Sequence, residues 1–458
     1  MKNILYDASK IDRKNLMFDN KMLRALLIPI IIEQVLNSFM GMMDTVMVSN
    51  VGSSAMSSVA LVDSVNTLVI QVFAAMATGA SIICSQYLGS GDVKGCNRAA
   101  KQVLLTVFTI SVVIMVLCLI FRRGLLHTVF GKVESEVMEQ CLVYFFVTVL
   151  SYPFLALFSA GAAFFRAGGA AKFPMLVSFG ANIVNIIGNA VFIFGMNMGV
   201  FGAALSTLIS RIICMTVVYA RLRKDKQPVV LREYFKIRPD MALIKKIVAI
   251  GLPAGIENGM FQFGKLAIQS MISSMGTVAI AAQSMAAIFE NVNGVVGIGV
   301  GIGLMTAVGQ CIGAGRKEEA KYYIVKFTWI GEIGILLSCI LVFIAGRPVT
   351  IIGGMEPDAA ALSLKMLTAI TVVKPVFWSL SYIPAYGMRA AGDVKFSMIA
   401  ATCTMWLCRV VLCVILINCF NIGAMAFWYC MFADWAVRGI VFTAKYFSGK
   451  WMKNSLVG

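Results

Sequence analysis

Two carboxylates lie within one long apolar stretch near the start of the chain. The segment from Leu27 to Gly52, LIPIIIEQVLNSFMGMMDTVMVSNVG, is apolar enough to cross a bilayer, yet it contains Glu33 and Asp44. Their spacing of eleven positions places both on one helix face, roughly 16 Å apart along the axis. An acid in a membrane helix costs about 2.5–3.5 kcal/mol or more and usually faces the bundle interior. The pair predicts a polar internal cavity, although each could only hydrogen-bond neighbouring helices.

Neutral polar side chains follow on two later apolar segments. Asn182, Asn185 and Asn189 repeat at i, i+3 and i+7 and form one helical stripe, and Thr207 lies on the next segment. Counted along their segments, Asp44, Asn189 and Thr207 should lie at similar depth, roughly 8–12 Å inside the external ends. One carboxylate with neutral oxygen donors suits Na⁺, and a carboxylate can also carry a proton. The asparagines could instead serve only as interhelical hydrogen-bond partners.

A further set of residues could line a substrate cavity or move a helix. The substrate-cavity candidates are Glu33, Asn182, Glu257 and Gln262. Pro29 precedes Glu33 by four residues and is a hinge candidate, because a proline inside a helix removes a hydrogen bond and permits a kink. It could equally mark only the start of the helix.

The composition predicts an all-α integral membrane protein. Of 458 residues, 59% are hydrophobic and 13% charged, whereas soluble domains carry about 25% charged residues. The apolar runs are long, as membrane helices require, and do not show the short alternation of a barrel. The formal charge of +17 could indicate nucleic acid in a soluble protein, but here the basic residues collect in loops. We therefore expect a lipid bilayer and no nucleic acid as partner.

The residues that enzymes and metal proteins need are sparse. The chain has one histidine, and its twelve cysteines are mostly scattered in apolar segments. We expect no enzyme activity, no catalytic residue and no cofactor.

Twelve spans can be placed, and their loops give an orientation. The loops after spans two, six and eight are rich in Lys and Arg, whereas those after spans one, five, seven and eleven have none. This alternation predicts a multi-pass protein of the plasma (inner) membrane with both termini in the cytoplasm. Arg122, Arg123 and Lys132, after span three, run against this rule.

The second half of the chain repeats the first. Glu33 and Glu257, Gly52 and Gly276, and Gln86 and Gln310 are each 224 positions apart, and RAGGAAKFPM from Arg166 matches RAAGDVKFSM from Arg389. Each half has six spans, so this is a parallel repeat of the kind found in secondary transporters. We expect two pseudo-symmetric six-helix lobes in a monomer. The predicted parts are an N-terminal tail (1–21), N-lobe (22–220), cytoplasmic linker (221–246), C-lobe (247–446) and C-terminal tail (447–458).

Several segments together resemble the multidrug and toxic compound extrusion (MATE) transporters. They are P-x-x-x-E-Q with GMMDTVMVSNVG, then RAGGAAKFPM, NIVNIIGNAVFIFG and MGVFGAALSTLIS. The resemblance covers nearly the whole chain. It implies an antiporter that exports small organic compounds, often cationic and hydrophobic, by alternating access driven by inward Na⁺ or H⁺ flow.

The resemblance also implies site residues. Asp44, Asn185 and Thr207 match the amino-lobe cation site of one subgroup, whereas Asn189 stands where that subgroup has a second aspartate. Another subgroup has an acid in span seven and an aspartate in span ten; here Gln262 takes the first position and span ten has no acid. The alternative function is a flippase of lipid-linked oligosaccharides from the related superfamily, for which Arg211 and Arg409 within spans are the hints.

Overall fold

The computed structural model describes residues 5–131, 133–224, 227–232, 234, 237–420 and 422–453, and every regular element within these ranges is helical. The helices, in chain order, are α1 (Asn20–Ser49), α2 (Ser53–Gly89), α3 (Val93–Phe130), α4 (Ser135–Leu150), α5 (Tyr152–Ala167), α6 (Lys172–Asn189), α7 (Gly199–Leu222), α8 (Met241–Ser273), α9 (Thr277–Gly313), α10 (Lys317–Ile352), α11 (Pro357–Ala390), α12 (Val394–Thr404), α13 (Leu412–Asn418) and α14 (Ala426–Ser448). Two π-helical stretches, Ala190–Gly195 and Met405–Val411, extend α6 and join α12 to α13. Short 3₁₀ turns cover Ala8–Lys10 and Lys450–Lys453.

The helices are long and apolar enough to cross a membrane. Within the described ranges, nine helical segments meet that condition, and α4 with α5, which meet at a 42° bend, make a tenth. The remaining two long helices, α8 and α14, fall outside this set. The predicted all-α membrane fold is therefore confirmed.

The bend between α4 and α5 has a local cause. Pro153 lies in the first turn of α5, where its missing N–H is tolerated but could not continue a preceding helix. Ser151 stands between the two helices, and its hydroxyl donates to the carbonyl of Thr148 at 2.5 Å. The break leaves the Ser151 hydroxyl available to a side chain from another helix.

The chain forms two compact units. The amino-terminal unit is Arg24–Gly255, and the carboxy-terminal unit is Ile256–Gly458 together with Met1–Leu23. Residues 5–18 are therefore more than a free tail. Phe18 exchanges two hydrogen bonds with the Tyr323 hydroxyl on α10, at 2.9 and 2.8 Å, and the backbone N–H of Met17 donates to Glu319 at 2.6 Å. The domain boundaries drawn from the sequence stay predictions.

The repeat is visible in the backbone. Glycines with positive φ recur at matched places in the two halves, where an L side chain would be strained. The matched glycines are Gly52 (140°) and Gly276 (95°), Gly91 (78°) and Gly315 (72°), and Gly169 (78°) and Gly392 (95°). The same turns thus join corresponding helices in each half.

Before α8, the connecting segment is held against α3. The Gln102 side chain donates to the carbonyl of Arg238 at 2.9 Å and accepts from the backbone N–H of Asp240 at 3.0 Å. Asp240 also pairs with Arg98 at 2.6 Å. The backbone N–H of Leu243 at the start of α8 holds the pKa of Asp240 below its usual value, as expected for a carboxylate that caps a helix.

The glycine-rich stretch of α9 serves close packing. A Cβ added to Gly297 would overlap the Trp378 ring on α11, and one added to Gly301 would overlap the Tyr386 ring. Small residues at such contacts let membrane helices approach closely.

Candidate functional site

Three helices of the amino-terminal unit bring four polar residues into one hydrogen-bonded row. The Asn189 side-chain amide on α6 donates to the Asp44 carboxylate on α1 at 2.8 Å and to the side-chain oxygen of Asn185 at 3.2 Å. The Asn185 amide in turn donates to the Thr207 hydroxyl on α7 at 3.2 Å. We call these four residues the Asp44 row. They are the residues that helical spacing and depth placed together in the sequence.

Local sequence lets α6 and α7 approach closely enough to form this row. A Cβ at Gly188 would overlap the Ser206 hydroxyl, so glycine is needed where these helices meet. The Ser206 hydroxyl donates to the backbone carbonyl of Asn185 at 2.7 Å. Beyond Asn189 the helix continues as the π-helical stretch Ala190–Gly195, a feature often found at functional sites.

One oxygen of the Asp44 row has no donor. The side-chain oxygen of Asn189 is buried and accepts no hydrogen bond from any described residue. Its orientation is fixed, because its amide nitrogen faces two acceptors, Asp44 and Asn185. Leaving a buried acceptor unsatisfied costs about 1–3 kcal/mol. A cation bound to the Asn189 side-chain oxygen would remove this cost.

A second polar network lies next to the Asp44 row. The Asp63 carboxylate on α2 accepts from Asn66 at 3.1 Å, and Asn66 accepts from the Tyr152 hydroxyl at 2.7 Å. Arg211 on α7 donates to the Ser151 hydroxyl at 2.5 Å, at the bend described above. The guanidinium of Arg211 interacts electrostatically with both Asp44 and Asp63. In the sequence, the connection between the Asp44 row and the Asp63 network is indicated by the i, i+4 spacing of Thr207 and Arg211, which places both on one face of α7.

The two glutamates that the repeat relates form equivalent ion pairs. Glu33 pairs with Arg166 at 3.2 Å, and Glu257 pairs with Arg389 at 3.2 Å. Both arginines come from the segments that the sequence repeat had already matched. The pairing neutralises two of the four substrate-cavity candidates.

The remaining candidates named from the sequence are Asn182, Gln262 and Pro29. Asn182 and Gln262 are half-buried on α6 and α8. Pro29 lies inside α1 and therefore does not mark the start of that helix, and Pro253 has the equivalent place in α8. Movement at Pro29 stays a prediction.

The carboxy-terminal unit contains a group of charged residues that we call the basic cluster. Its members are Lys265, Glu290, Lys374, Arg409, Asp434 and Arg438. Lys374 on α11 is fully buried and pairs with Glu290 on α9 at 2.9 Å. Asp434 on α14 lies between two arginines, Arg409 at 2.8 Å and Arg438 at 3.2 Å. The pair of Asp434 and Arg438 has the i, i+4 spacing typical of an ion pair along one helix, whereas Arg409 comes from a different helical segment.

Lys265 joins the basic cluster through an aromatic ring. The Lys265 ammonium lies 5.0 Å from the centre of the Phe261 ring, and the Arg409 guanidinium lies 5.1 Å from the same ring. Lys265 and Arg409 also interact electrostatically with Glu290. The sequence analysis did not identify Lys265 or Lys374. An isolated lysine within an apolar run could have indicated a functional position, because such a charge is costly in a bilayer.

Comparison with known proteins identifies the family of this fold. The MatE family model matches residues 29–191 and 253–415, once in each half of the chain. The chain belongs to the MatE family. MATE proteins are membrane transporters and not enzymes, and this chain is therefore a multi-pass membrane transporter of small compounds.

Relatives and a solved MATE structure match over almost the full length. An uncharacterised transporter, YisQ of Bacillus subtilis, is 28% identical over 93% of this chain and 94% of its own. A probable multidrug resistance protein, NorM of Thermotoga maritima, is 26% identical over 95% and 94%. A MATE crystal structure in complex with MaL6 superposes with a TM-score of 0.87 at 19% identity, covering 98% of both chains. This likeness confirms the predicted fold of twelve helices in two lobes.

Proposed function

We propose that the protein is a secondary active antiporter that exports small organic compounds by alternating access, driven by inward flow of Na⁺ or H⁺. The observation that carries the proposal is the Asp44 row with its unsatisfied Asn189 oxygen. The names of relatives support export: NorM of Thermotoga maritima is described as a probable multidrug resistance protein. Multidrug efflux is thus the activity we assign.

The Asp44 row has the composition of a coupling site. Asp44 supplies one negative charge, while Asn189, Asn185 and Thr207 supply neutral oxygens, which together suit a hard monovalent cation. The half-buried Asp44 side chain leaves the carboxylate reachable by an ion or a proton. Binding at Asp44 would relieve its interaction with Asn189, and that change is how loading could be transmitted to α6.

We further propose the setting in which this transport takes place. The protein functions as a monomer in the plasma membrane with both termini in the cytoplasm, as the distribution of Lys and Arg between loops indicates. The flippase alternative is no longer supported by the two arginines within spans. Arg211 donates a hydrogen bond to Ser151, and Arg409 forms an ion pair with Asp434. The resemblance implied substrates that are often cationic, but two acids named as cavity candidates, Glu33 and Glu257, are already paired with arginines.

The decisive experiment changes Asp44 and imposes each ion gradient separately. In proteoliposomes, the Asp44→Asn variant should lose gradient-driven export of fluorescent dyes at least tenfold, because an amide can neither bind Na⁺ by charge nor carry the proton. The gradient that drives wild-type export identifies the coupling ion.

The matched control is Asp358→Asn, which changes an exposed aspartate at the start of α11 and should leave export at the wild-type rate. Unchanged gradient-driven export by Asp44→Asn, at wild-type protein levels, would refute the proposed coupling site.

A further inference from the structure

The two units differ in the sign of their internal charge. In the amino-terminal unit, Asp44 and Asp63 are associated with a single arginine, Arg211. In the carboxy-terminal unit, the basic cluster has four cations and two carboxylates, and the neighbouring Glu332 on α10 still leaves the cations in excess. A pump for cations would not gain from such an excess of positive charge.

Equivalent positions of the repeat show the same inversion. At a separation of 224, Gly41 corresponds to Lys265 and Asp44 corresponds to Ile268. The helix that carries the acid in one half therefore carries a base in the other. At the same separation, Asn66 corresponds to Glu290, which forms an ion pair with the buried Lys374.

Lys265 is the accessible member of the basic cluster. Lys374, Arg409 and Arg438 are buried and bound to Glu290 or Asp434, whereas Lys265 is exposed and makes no ion pair with a described carboxylate. Its position against the Phe261 ring and within electrostatic reach of Glu290 and Arg409 places the ammonium beside the cluster.

Excess positive charge at a partly desolvated site calls for an anion. Unpaired charges are costly to hold out of water, and low-dielectric walls strengthen the attraction for an opposite charge. The Phe261 ring adds an apolar and aromatic surface directly beside the ammonium.

From these contacts we propose that the exported compound is an aromatic organic anion whose anionic oxygen group binds Lys265, with its ring against Phe261. Arg409 and Lys374 keep the surroundings positive without contacting the compound. This inference rests on the proposed export function, but the binding step does not depend on the Asp44 row.

Binding by the purified full-length protein tests the inference without any gradient. Fluorescein, an aromatic anion, and ethidium, an aromatic cation of similar size, are titrated by fluorescence anisotropy. Wild-type protein should bind fluorescein at least tenfold more tightly than ethidium, and the affinity should fall with added salt. The Lys265→Glu variant should lose at least tenfold in fluorescein affinity, and the milder Lys265→Gln variant should lose affinity without gaining ethidium binding.

Two controls separate this inference from the proposed function. Lys246→Glu makes the same change at an exposed lysine near the start of α8 and should leave fluorescein affinity unchanged. Asp44→Asn should still bind fluorescein while losing gradient-driven export; wild-type export by that variant would count against the coupling site alone. Tighter wild-type binding of ethidium than of fluorescein, or unchanged fluorescein affinity in both folded Lys265 variants, would overturn the inference.

Discussion

At the scale of single residues, the Asn189 side chain ties the amino-terminal site together. Its nitrogen reaches Asp44 and Asn185 while its oxygen is left without a donor. An aspartate at this position would add a second negative charge next to Asp44. Asparagine keeps the oxygen ligand and halves the charge, which fits a monovalent cation or a proton.

The buried ion pair between Glu33 and Arg166 should matter for stability. Replacing Arg166 by Met leaves the Glu33 carboxylate, 4% exposed, without its partner. Breaking a buried pair from one side costs about 3–5 kcal/mol, whereas replacing both partners by apolar residues is often close to neutral. We therefore expect Arg166→Met to lower the melting temperature in detergent, and the double variant Glu33→Leu, Arg166→Met to recover most of it. A single variant as stable as wild type would contradict a structural role for this pair.

The sequence predicted some of these contacts and missed others for a physical reason. Helical periodicity and depth grouped Asp44, Asn185, Asn189 and Thr207, because both follow from regular helix geometry. They could not pair Glu33 with Arg166, 133 positions away, because that contact depends on how separate helices pack. The basic cluster was missed for the same reason: Lys374 and Glu290 come from different helices, 84 positions apart.

At the scale of helices, the contact between α6 and α7 is set by one glycine. An added methyl group at Gly188 would overlap Ser206 and push the helices apart, which should lengthen the hydrogen bond from Asn185 to Thr207. Overpacking of this kind typically costs about 1–3 kcal/mol. We expect Gly188→Ala to lower both the melting temperature and the rate of gradient-driven export.

Gly180 on the same helix provides a matched control. An added methyl group there meets no atom within 4 Å, so Gly180→Ala should leave export unchanged and stabilise slightly, by about 0.5–1 kcal/mol, through helix propensity. Equal behaviour of the two variants would show that the α6–α7 contact does not position the Asp44 row.

At the scale of the whole molecule, the start of the chain is fastened to the carboxy-terminal unit. The Tyr323 hydroxyl forms hydrogen bonds with both backbone groups of Phe18. The Tyr446 hydroxyl also binds this segment, because it donates to the carbonyl of Leu5 at 2.6 Å. The sequence predicted an N-terminal tail over residues 1–21, which are polar and carry no apolar run. It could not predict the contacts of residues 5–18. Their anchoring depends on a hydroxyl more than 300 positions away.

Removing the Tyr323 hydroxyl should release this segment. The Tyr323→Phe variant leaves two buried backbone groups of Phe18 unsatisfied, at a cost of about 1–3 kcal/mol each. Trypsin should then cut after Lys10, Arg13 or Lys14 several-fold faster than in wild-type protein, as followed by mass spectrometry. Tyr322→Phe, which removes a neighbouring hydroxyl, should cleave at the wild-type rate, and equal cleavage of both variants would contradict the anchoring role of Tyr323.

The matched ion pairs Glu33–Arg166 and Glu257–Arg389 also order events in the history of the gene. A feature shared by both halves points to one half-length ancestor, whereas the positions of Asp44, Lys265 and Glu290 have diverged between the halves since duplication. Two identical ancestral halves could not have held opposite charges. The difference in internal charge between the two lobes is therefore younger than the scaffold that they share.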